Sequence, residues 1–278
     1  MKPRYLMCPP TYYGVHYDIN PWMSQHVGLS TEGAARQWER LVEIIETVAD
    51  VDVQFMEPTS GVPDLVFTAN GALICGGLAI CSSFRFEQRR REQPLYRSWF
   101  ARNGFATTYL TSTFFEGAGD ALFDRRRPIL YTAYGWRSER QAALQLGEHL
   151  AVRVLPLQLV DPRFYHLDTA LCPLTSGHVM VHMDAFSAHS QRLLRQAVDR
   201  EHLIEVNVHD AAHFACNALE IGDAVIMHAA SRKLAEQLNA AGYRVFQTDL
   251  SQFIRAGGSA KKLTLRLDDG PAAKEAAA

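Results

Sequence analysis

The sequence predicts an α/β domain in which five helix-and-strand units form a ring around a polar centre. Three observations lead there. Amphipathic helical segments, each followed by a short β-branched strand, occur five times. A brief polar segment running into an apolar one separates them. One polar residue from each such segment (Asn70, Asp120, Asp168, Asn217 and Lys262) recurs at intervals of 45 to 50 residues. An internal period of that size marks a repeat architecture. A closed ring leaves no sheet edge between repeats and aims one end of each inner strand at the axis.

Each unit can be read in order. After Ser30 and Thr31, the apolar residues Ala34, Trp38, Leu41, Ile45 and Val48 fall at helical spacing, so a capped helix is expected over Thr31 to Asp50. Val51 to Met56 alternates and reads as its strand. A second helix is expected from about Glu87 to Asn103, kinked or broken by Pro94, with Phe105 to Leu110 as its strand. Ser138 is expected to cap a third helix ending near Leu150, followed by Val152 to Leu157. Ser187 opens a fourth, carrying Leu193, Leu194, Ala197 and Val198, and Leu203 to Val208 follows it. Ser231 opens a fifth that ends at Gly242, with Tyr243 to Thr248 as its strand.

Nothing in the chain reads as a linker, so residues 1–267 are expected to be one domain. The polar stretch 268–278 is expected to be a frayed tail. The 278 residues are 47% hydrophobic and 21% charged, enough for a large core. A formal net charge of −2 gives no reason to expect nucleic acid or acidic lipid as a partner. No apolar run nears the roughly 18 residues that span a bilayer, and the first ten residues lack the apolar core of a leader. The five cysteines, an odd count, fit reduced thiols in a cytoplasm better than a disulfide framework.

Asp64, Asn70, Glu116, Asp120, His166 and Asp168 all lie at the starts of repeats. Several carboxylates and one histidine around an axis make a site for a cation. A planar guanidinium is the natural one, because it seeks bidentate acceptors. The histidine can move protons beside a carboxylate that fixes its tautomer. Asp and Asn also cap turns through Asx bonds, and that accounts for Asp120 and Asn217 as well as function does. It accounts poorly for Glu116, between Phe114-Phe115 and Gly117, and for His166, after Phe164-Tyr165.

The segments Met7 to Met23 (MCPPTYYGVHYDINPWM), Asp64 to Gly71 (DLVFTANG), Phe115 to Asp120 (FEGAGD) and Tyr165 to Thr169 (YHLDT) carry a resemblance. Together they are similar to the guanidine-modifying (pentein) superfamily. The arginine dihydrolase, dimethylarginine dimethylaminohydrolase and amidinotransferase types stand nearest. The resemblance runs from about Tyr5 to Leu267. It implies a five-fold pseudosymmetric α/β propeller with a central site, no metal or organic cofactor, and an amino-acid ligand such as arginine or ornithine. It also implies a cysteine thiolate that attacks the guanidinium carbon, with a Glu/His pair handling protons. Glu116 and His166 match that pair. Asn20, Asp64 and Asn70 match substrate-holding motifs, and Asp120 and Asp168 lie on the same side. Arg85 and Arg137 resemble arginines that grip the amino-acid carboxylate. A homo-oligomer is compatible with all of this.

One departure stands out. The last repeat reads Gly257-Gly-Ser-Ala-Lys-Lys-Leu-Thr-Leu265, and Lys262 stands where the resemblance places the cysteine. Cys216 adjoins Asn217 and is expected to turn away from the axis. A protonated Lys262 about 4 Å from a guanidinium would cost roughly 4 kcal/mol at an effective dielectric near 20. Four readings stay open. Lys262 could serve as a general base for water, fill the site of a non-catalytic amino-acid binder, form a Schiff base, or be a change introduced into an ordinary enzyme. Lys261 is expected to be solvated.

Weaker signals read more plainly. His209 and His213 have helical metal-ligand spacing but no HExxH glutamate or cysteine partners. Arg89-Arg-Arg91 and Arg125-Arg-Arg127 are expected to be solvated faces. Phe84, Phe86, Trp99 and Phe100 are expected in the core.

Overall fold

The computed structural model describes residues 2–25 and 28–271. Among these residues the strands form five sheets of three strands each. The first unit supplies β1 (Arg4–Met7), α1 (Thr31–Val48) and β2 (Asp52–Phe55). The second has β3 (Ala72–Cys75), β4 (Leu78–Cys81), α2 (Glu87–Arg90), α3 (Glu92–Arg102) and β5 (Ala106–Tyr109). The third has β6 (Ala121–Phe123), β7 (Ile129–Tyr134), α4 (Arg140–Leu150) and β8 (Arg153–Gln158). The fourth has β9 (Leu171–Pro173), β10 (Val179–Val181), α5 (Ala188–Ala197), β11 (Leu203–Glu205) and a short helix α6 (Val208–Ala212). The fifth has β12 (Leu219–Ile221), β13 (Ala224–Met227), α7 (Arg232–Ala240) and β14 (Arg244–Gln247). A turn of helix, α8 (Ser251–Ile254), then leads to β15 (Leu265–Arg266).

One rule builds every blade. The inner strand pairs antiparallel with the middle strand, as β3 does with β4. The middle strand pairs parallel with the outer one, as β4 does with β5. A parallel pair needs a crossover, and the intervening helix is that crossover. The first blade obeys the rule only because β15 returns to serve as its inner strand, with Tyr5 opposite Arg266 and Leu6 opposite Leu265. The far ends of the chain thus close a five-fold α/β propeller.

The helices form for the reasons the sequence supplies. The Ser30 hydroxyl accepts from Gly33 N at 3.0 Å and caps α1. The helix buries Ala34, Trp38, Leu41, Ile44 and Ile45. Each buried Leu or Ile stabilises the fold by about 1.5–3 kcal/mol. Ser187 and Ser231 cap α5 and α7 in the same way. Gly242 takes φ +92° just beyond α7, where a left-handed residue ends a helix.

Several expectations are corrected. The Pro94 break falls at Arg91, so the proline occupies the first turn of α3, where no N–H is needed. Ser138 does not cap α4; its hydroxyl turns inward to Asp120 at 2.6 Å. The strand after α5 stops at Glu205, because Asn207 caps α6. Asp268 accepts from Arg4 N at 3.0 Å, and Asp269 pairs with Arg125. The rest of the expected tail, 272–278, lies outside the described residues. No helix among the described residues is long and apolar enough to cross a membrane.

Candidate active site

The five repeated polar residues lie in turns that run into the inner strands, not in the strands themselves. Thr68–Asn70, Gly117–Gly119 and Leu167–Thr169 are single 3-10 turns. Lys262 lies in a turn whose backbone N–H returns to Ser259 O at 3.1 Å. Asn70, Asp120, Asp168, Asn217 and Lys262 are each no more than 1% exposed.

These turns are bonded to one another around the axis. Asn70 Nδ2 donates to Glu116 O at 3.2 Å, on the next blade. Asp120 Oδ1 accepts from Leu167 N at 3.1 Å. Asn217 Nδ2 donates to Asp168 O at 2.9 Å, and its Oδ1 accepts from Ser259 N and Lys262 N at 2.8 and 3.2 Å. Ala69 N closes the circuit on Lys262 O at 3.2 Å. The expected Asx bonds therefore exist but cross to neighbouring blades. Buried turn backbones need such partners, and each repeat supplies the next. Gly117 sits at φ +60°, and a Cβ there would meet the Ala72 backbone at 2.9 Å. Only glycine lets this turn approach the start of β3 so closely.

At the centre, Glu116, His166 and Lys262 form a chain. His166 Nε2 lies 2.7 Å from Glu116 Oε2, and Nδ1 lies 2.8 Å from Lys262 Nζ. Lys262 Nζ is also 3.0 Å from Asp168 Oδ1 and sits 4.9 Å from the Tyr165 ring centre. Burial, and then the Lys262 charge, holds the His166 imidazole well below its ordinary range. A neutral ring between these partners donates from Nε2 to the carboxylate and accepts at Nδ1. Burial alone would raise Glu116, but the Arg137 guanidinium and the His166 bond outweigh it, so the carboxyl is held low and ionised. Burial lowers Lys262 against the opposing pull of Asp168, and raises Asp168 against the pull of Lys262.

Arg137 is buried with its guanidinium between the Phe86 and Tyr165 rings, 4.7 Å from each centre. It donates to Glu116 Oε2 and to Ile19 O, both at 3.0 Å. Asp64 Oδ2 accepts from Tyr17 at 3.0 Å. Burial raises the Asp64 carboxyl against the pull of Arg89. Asp64 Oδ1 and both Asp168 side-chain oxygens are buried without an aligned hydrogen-bond donor among the described residues. The Lys262–Asp168 contact is therefore an ion pair rather than an aligned hydrogen bond. Asp120, by contrast, is fully used, and burial pushes it up to about 8 despite its bonds from Ser138 and Leu167.

Two expected binding residues point elsewhere. The Arg85 guanidinium donates to Arg137 O at 3.0 Å, pairs with Glu139 at 3.4 Å and lies over Phe114; only its backbone N–H reaches Glu116, at 3.2 Å. Asn20 spends its side chain on Trp22 N and Ala256 O. The segment from Tyr17 to Trp22 crosses the centre, anchored at Asp64, Arg137, Ala256 and Arg163.

The expectation of solvated arginines fails at Arg89. Its guanidinium is buried, grips Glu92 at 2.8 and 2.7 Å and donates to Asn70 Oδ1 at 3.0 Å. Burial raises Glu92 to about 7 despite that grip. Arg89, Glu92 and Tyr96 share helical spacing with the buried face of α3, a signal present in the sequence. Arg125 is likewise paired, with Asp269. Lys261 is half-buried beside Tyr5, Cys172 and Glu220 rather than solvated. Phe86 is only half-buried, with one ring face covered by the Arg137 guanidinium. Tyr17, Tyr165 and Ser138 complete the set that sequence reasoning missed. Among the described residues, no three His, Cys, Asp or Glu side chains converge as metal ligands.

Comparison with known proteins agrees with this architecture. A family model described as N,N dimethylarginine dimethylhydrolase, eukaryotic, matches residues 20–267. The bifunctional arginine dihydrolase/ornithine cyclodeaminase ArgZ of Synechocystis is 44% identical over 96% of this chain, which spans only 38% of that relative. The N(G),N(G)-dimethylarginine dimethylaminohydrolase of Mycobacterium tuberculosis is 37% identical over 95% of this chain and 85% of its own length. A solved structure of the ArgZ N-terminal domain, a cysteine-to-serine variant bound to substrate, superposes with a TM-score of 0.94. It shares 43% identity and covers 97% of this chain and 99% of its own. On the family match and on these identities, the chain belongs to the N,N dimethylarginine dimethylhydrolase family.

Proposed function

We propose that this chain hydrolyses a C–N bond in the guanidino group of arginine or a close analogue. The observation that carries the reading is the Glu116–His166–Lys262 chain beside two buried carboxylates, Asp64 and Asp168, with oxygens lacking aligned donors. Buried carboxylate oxygens without donors are costly unless something brings N–H groups to them. A guanidinium brings several in one plane. The names of relatives support the same chemistry, since ArgZ and the M. tuberculosis enzyme are both named for reactions of arginine or methylated arginine.

In this reading Lys262 stands at the family's nucleophile position, and residues 1–267 act as one catalytic-type domain. Asp64 and Asp168 hold the guanidinium, while Asn70 braces the turn of Glu116 and Asn20 ties the crossing segment to Ala256. Arg137 faces the amino-acid carboxylate, and Arg85 acts only by bonding the Arg137 backbone carbonyl. Asp120 holds the turn that carries Glu116. Lys262 in its neutral form takes a proton from water while the water oxygen adds to the guanidinium carbon. The C–N bond then breaks, and nitrogen leaves as ammonia or an amine with a proton relayed through His166. The low-lying ammonium favours this role. The protein works on a small amino acid, without nucleic-acid or membrane partners. The five free cysteines support a cytoplasmic setting, and the assembly is monomeric or a homo-oligomer.

Incubation with arginine and methylated arginines tests this directly. Citrulline, ornithine, ammonia or amine is expected, and their absence from every reaction would overturn turnover. A second reading has its own observation: the Lys262–Asp168 pair fills the centre with the protein's own cation. On that reading the chain binds arginine or ornithine without turning it over. Calorimetry together with Lys262→Cys separates the two. Binding without product in the native chain, and product once the thiol is present, selects the second.

A further inference from the structure

Lys262 occupies the place of a nucleophile as well as that of a base. Its amine touches a base, His166 Nδ1, at 2.8 Å, and that base is oriented through its other nitrogen by Glu116 at 2.7 Å. Nucleophile, base and orienting carboxylate in that order are the arrangement that activates a covalent catalyst. Asp168, at 3.0 Å from the same nitrogen, fixes the amine toward the axis.

We propose that Lys262 is a site of covalent self-modification, at which the guanidino carbon of the substrate becomes bonded to Nζ. The inference rests on the guanidino reading above and names a second fate for the same substrate. The Nζ lone pair forms the new C–N bond. The bond from that carbon to a terminal nitrogen breaks, and its electron pair leaves with the nitrogen. The proton lost by Nζ passes through His166 to the departing group, which leaves as ammonia. No electron is gained or lost overall. The product is a guanidine substituted by Lys262 on one side and by the amino acid on the other. Burial favours the neutral amine that the step needs, against the opposing pull of Asp168.

The adduct persists for a chemical reason. A sulfur adduct is discharged because sulfur leaves readily. Here every bond to the central carbon is to nitrogen, none a better leaving group than the bond just broken. The amine that would activate water has itself been consumed. Addition of the amine competes with addition of water, so turnover ends in a modified chain.

The test uses the full chain with arginine carrying a heavy carbon in the guanidino group. After denaturation, intact mass and peptide mapping are read beside product release over the same time course. The expected result is one arginine less one ammonia on the peptide holding Lys262, accumulating as product release slows, and absent from Lys262→Gln. Steady product release from an unmodified chain would overturn the inference and leave the hydrolytic reading standing. An unmodified, inactive native chain beside an active Lys262→Cys variant would also overturn it, by showing that arginine enters and the amine does not react. If a folded Lys262→Cys is inert as well, the inference falls together with the reading beneath it.

Discussion

Asp120 and Asp168 hold equivalent places in successive repeats, 48 residues apart in the sequence and both essentially inaccessible to solvent. Asp120 accepts from the Ser138 hydroxyl at 2.6 Å, from Ser138 N at 3.2 Å and from Leu167 N at 3.1 Å. Asp168 has no aligned donor among the described residues and pairs with the Lys262 ammonium at 3.0 Å. The first is a strut that ties two turns and, through Ser138, the backbone of Glu116. The second is a carboxylate that pairs with a buried cation. Repetition thus sets where a polar side chain stands. What the neighbouring blade offers decides whether it braces the ring or pairs with a charge.

The largest expected effect lies on the chemical side of that contrast. His166→Asn should lower guanidino hydrolysis by about 10²–10⁴-fold, the usual worth of a positioned acid–base group. Steady-state product release, read beside a melting curve that shows the variant folded, measures it. Unchanged activity would remove His166 from the chemistry. Next comes stability. Asp120→Ala leaves three donors without an acceptor, each costing about 1–3 kcal/mol. Asp168→Ala strands the buried Lys262 cation instead, a loss that adding Lys262→Met should largely remove, whereas the same change should not rescue Asp120→Ala. Denaturant melts in which Lys262→Met rescues both variants equally would erase the distinction between a strut and an ion-pair partner.

Ser138→Ala cuts the hydroxyl link from Asp120 to Glu116 N and should cost about 1–3 kcal/mol, since a buried donor is stranded. Its effect should not add to that of Asp120→Ala, because the two share one network. A double variant measures this. The smallest effect is a pH dependence. The folded state keeps His166 neutral well below the ordinary value of 6.5, whereas the unfolded chain takes up a proton there. Below about pH 6.5 the native chain should therefore lose stability relative to His166→Asn as pH falls, by at most about 1.4 kcal/mol per pH unit. Parallel stability curves for the two proteins would show that the imidazole is not held neutral.

The legible parts of the molecule are those governed by neighbours in sequence. Ser30, Ser187 and Ser231 cap their helices because a cap bonds a residue three positions on. The spacing from Asn70 to Lys262 marked five turns around one axis because repetition carries its own register. Arg89 was misread because three consecutive arginines look like a solvated face until Asp64, Asn70 and Glu92 are known to surround one of them. Ser138 was misread for the same reason: as a cap it would need only its own helix, but its partner Asp120 comes from the preceding inner turn. Lys261 and Lys262 could not be ranked by strand alternation, since both lie in a turn.

The chain by itself determined the order of its helices and strands, the five-fold repeat, and which polar residues would be carried inward. Those follow from periodicity and capping, which act over a few residues. Only the folded ring decided which carboxylates are satisfied, which arginine is buried, and that Lys262 meets both His166 and Asp168. Hydrogen bonds and desolvation depend on atoms a few ångströms away, and here those atoms belong to blades that lie about a hundred residues apart in the chain.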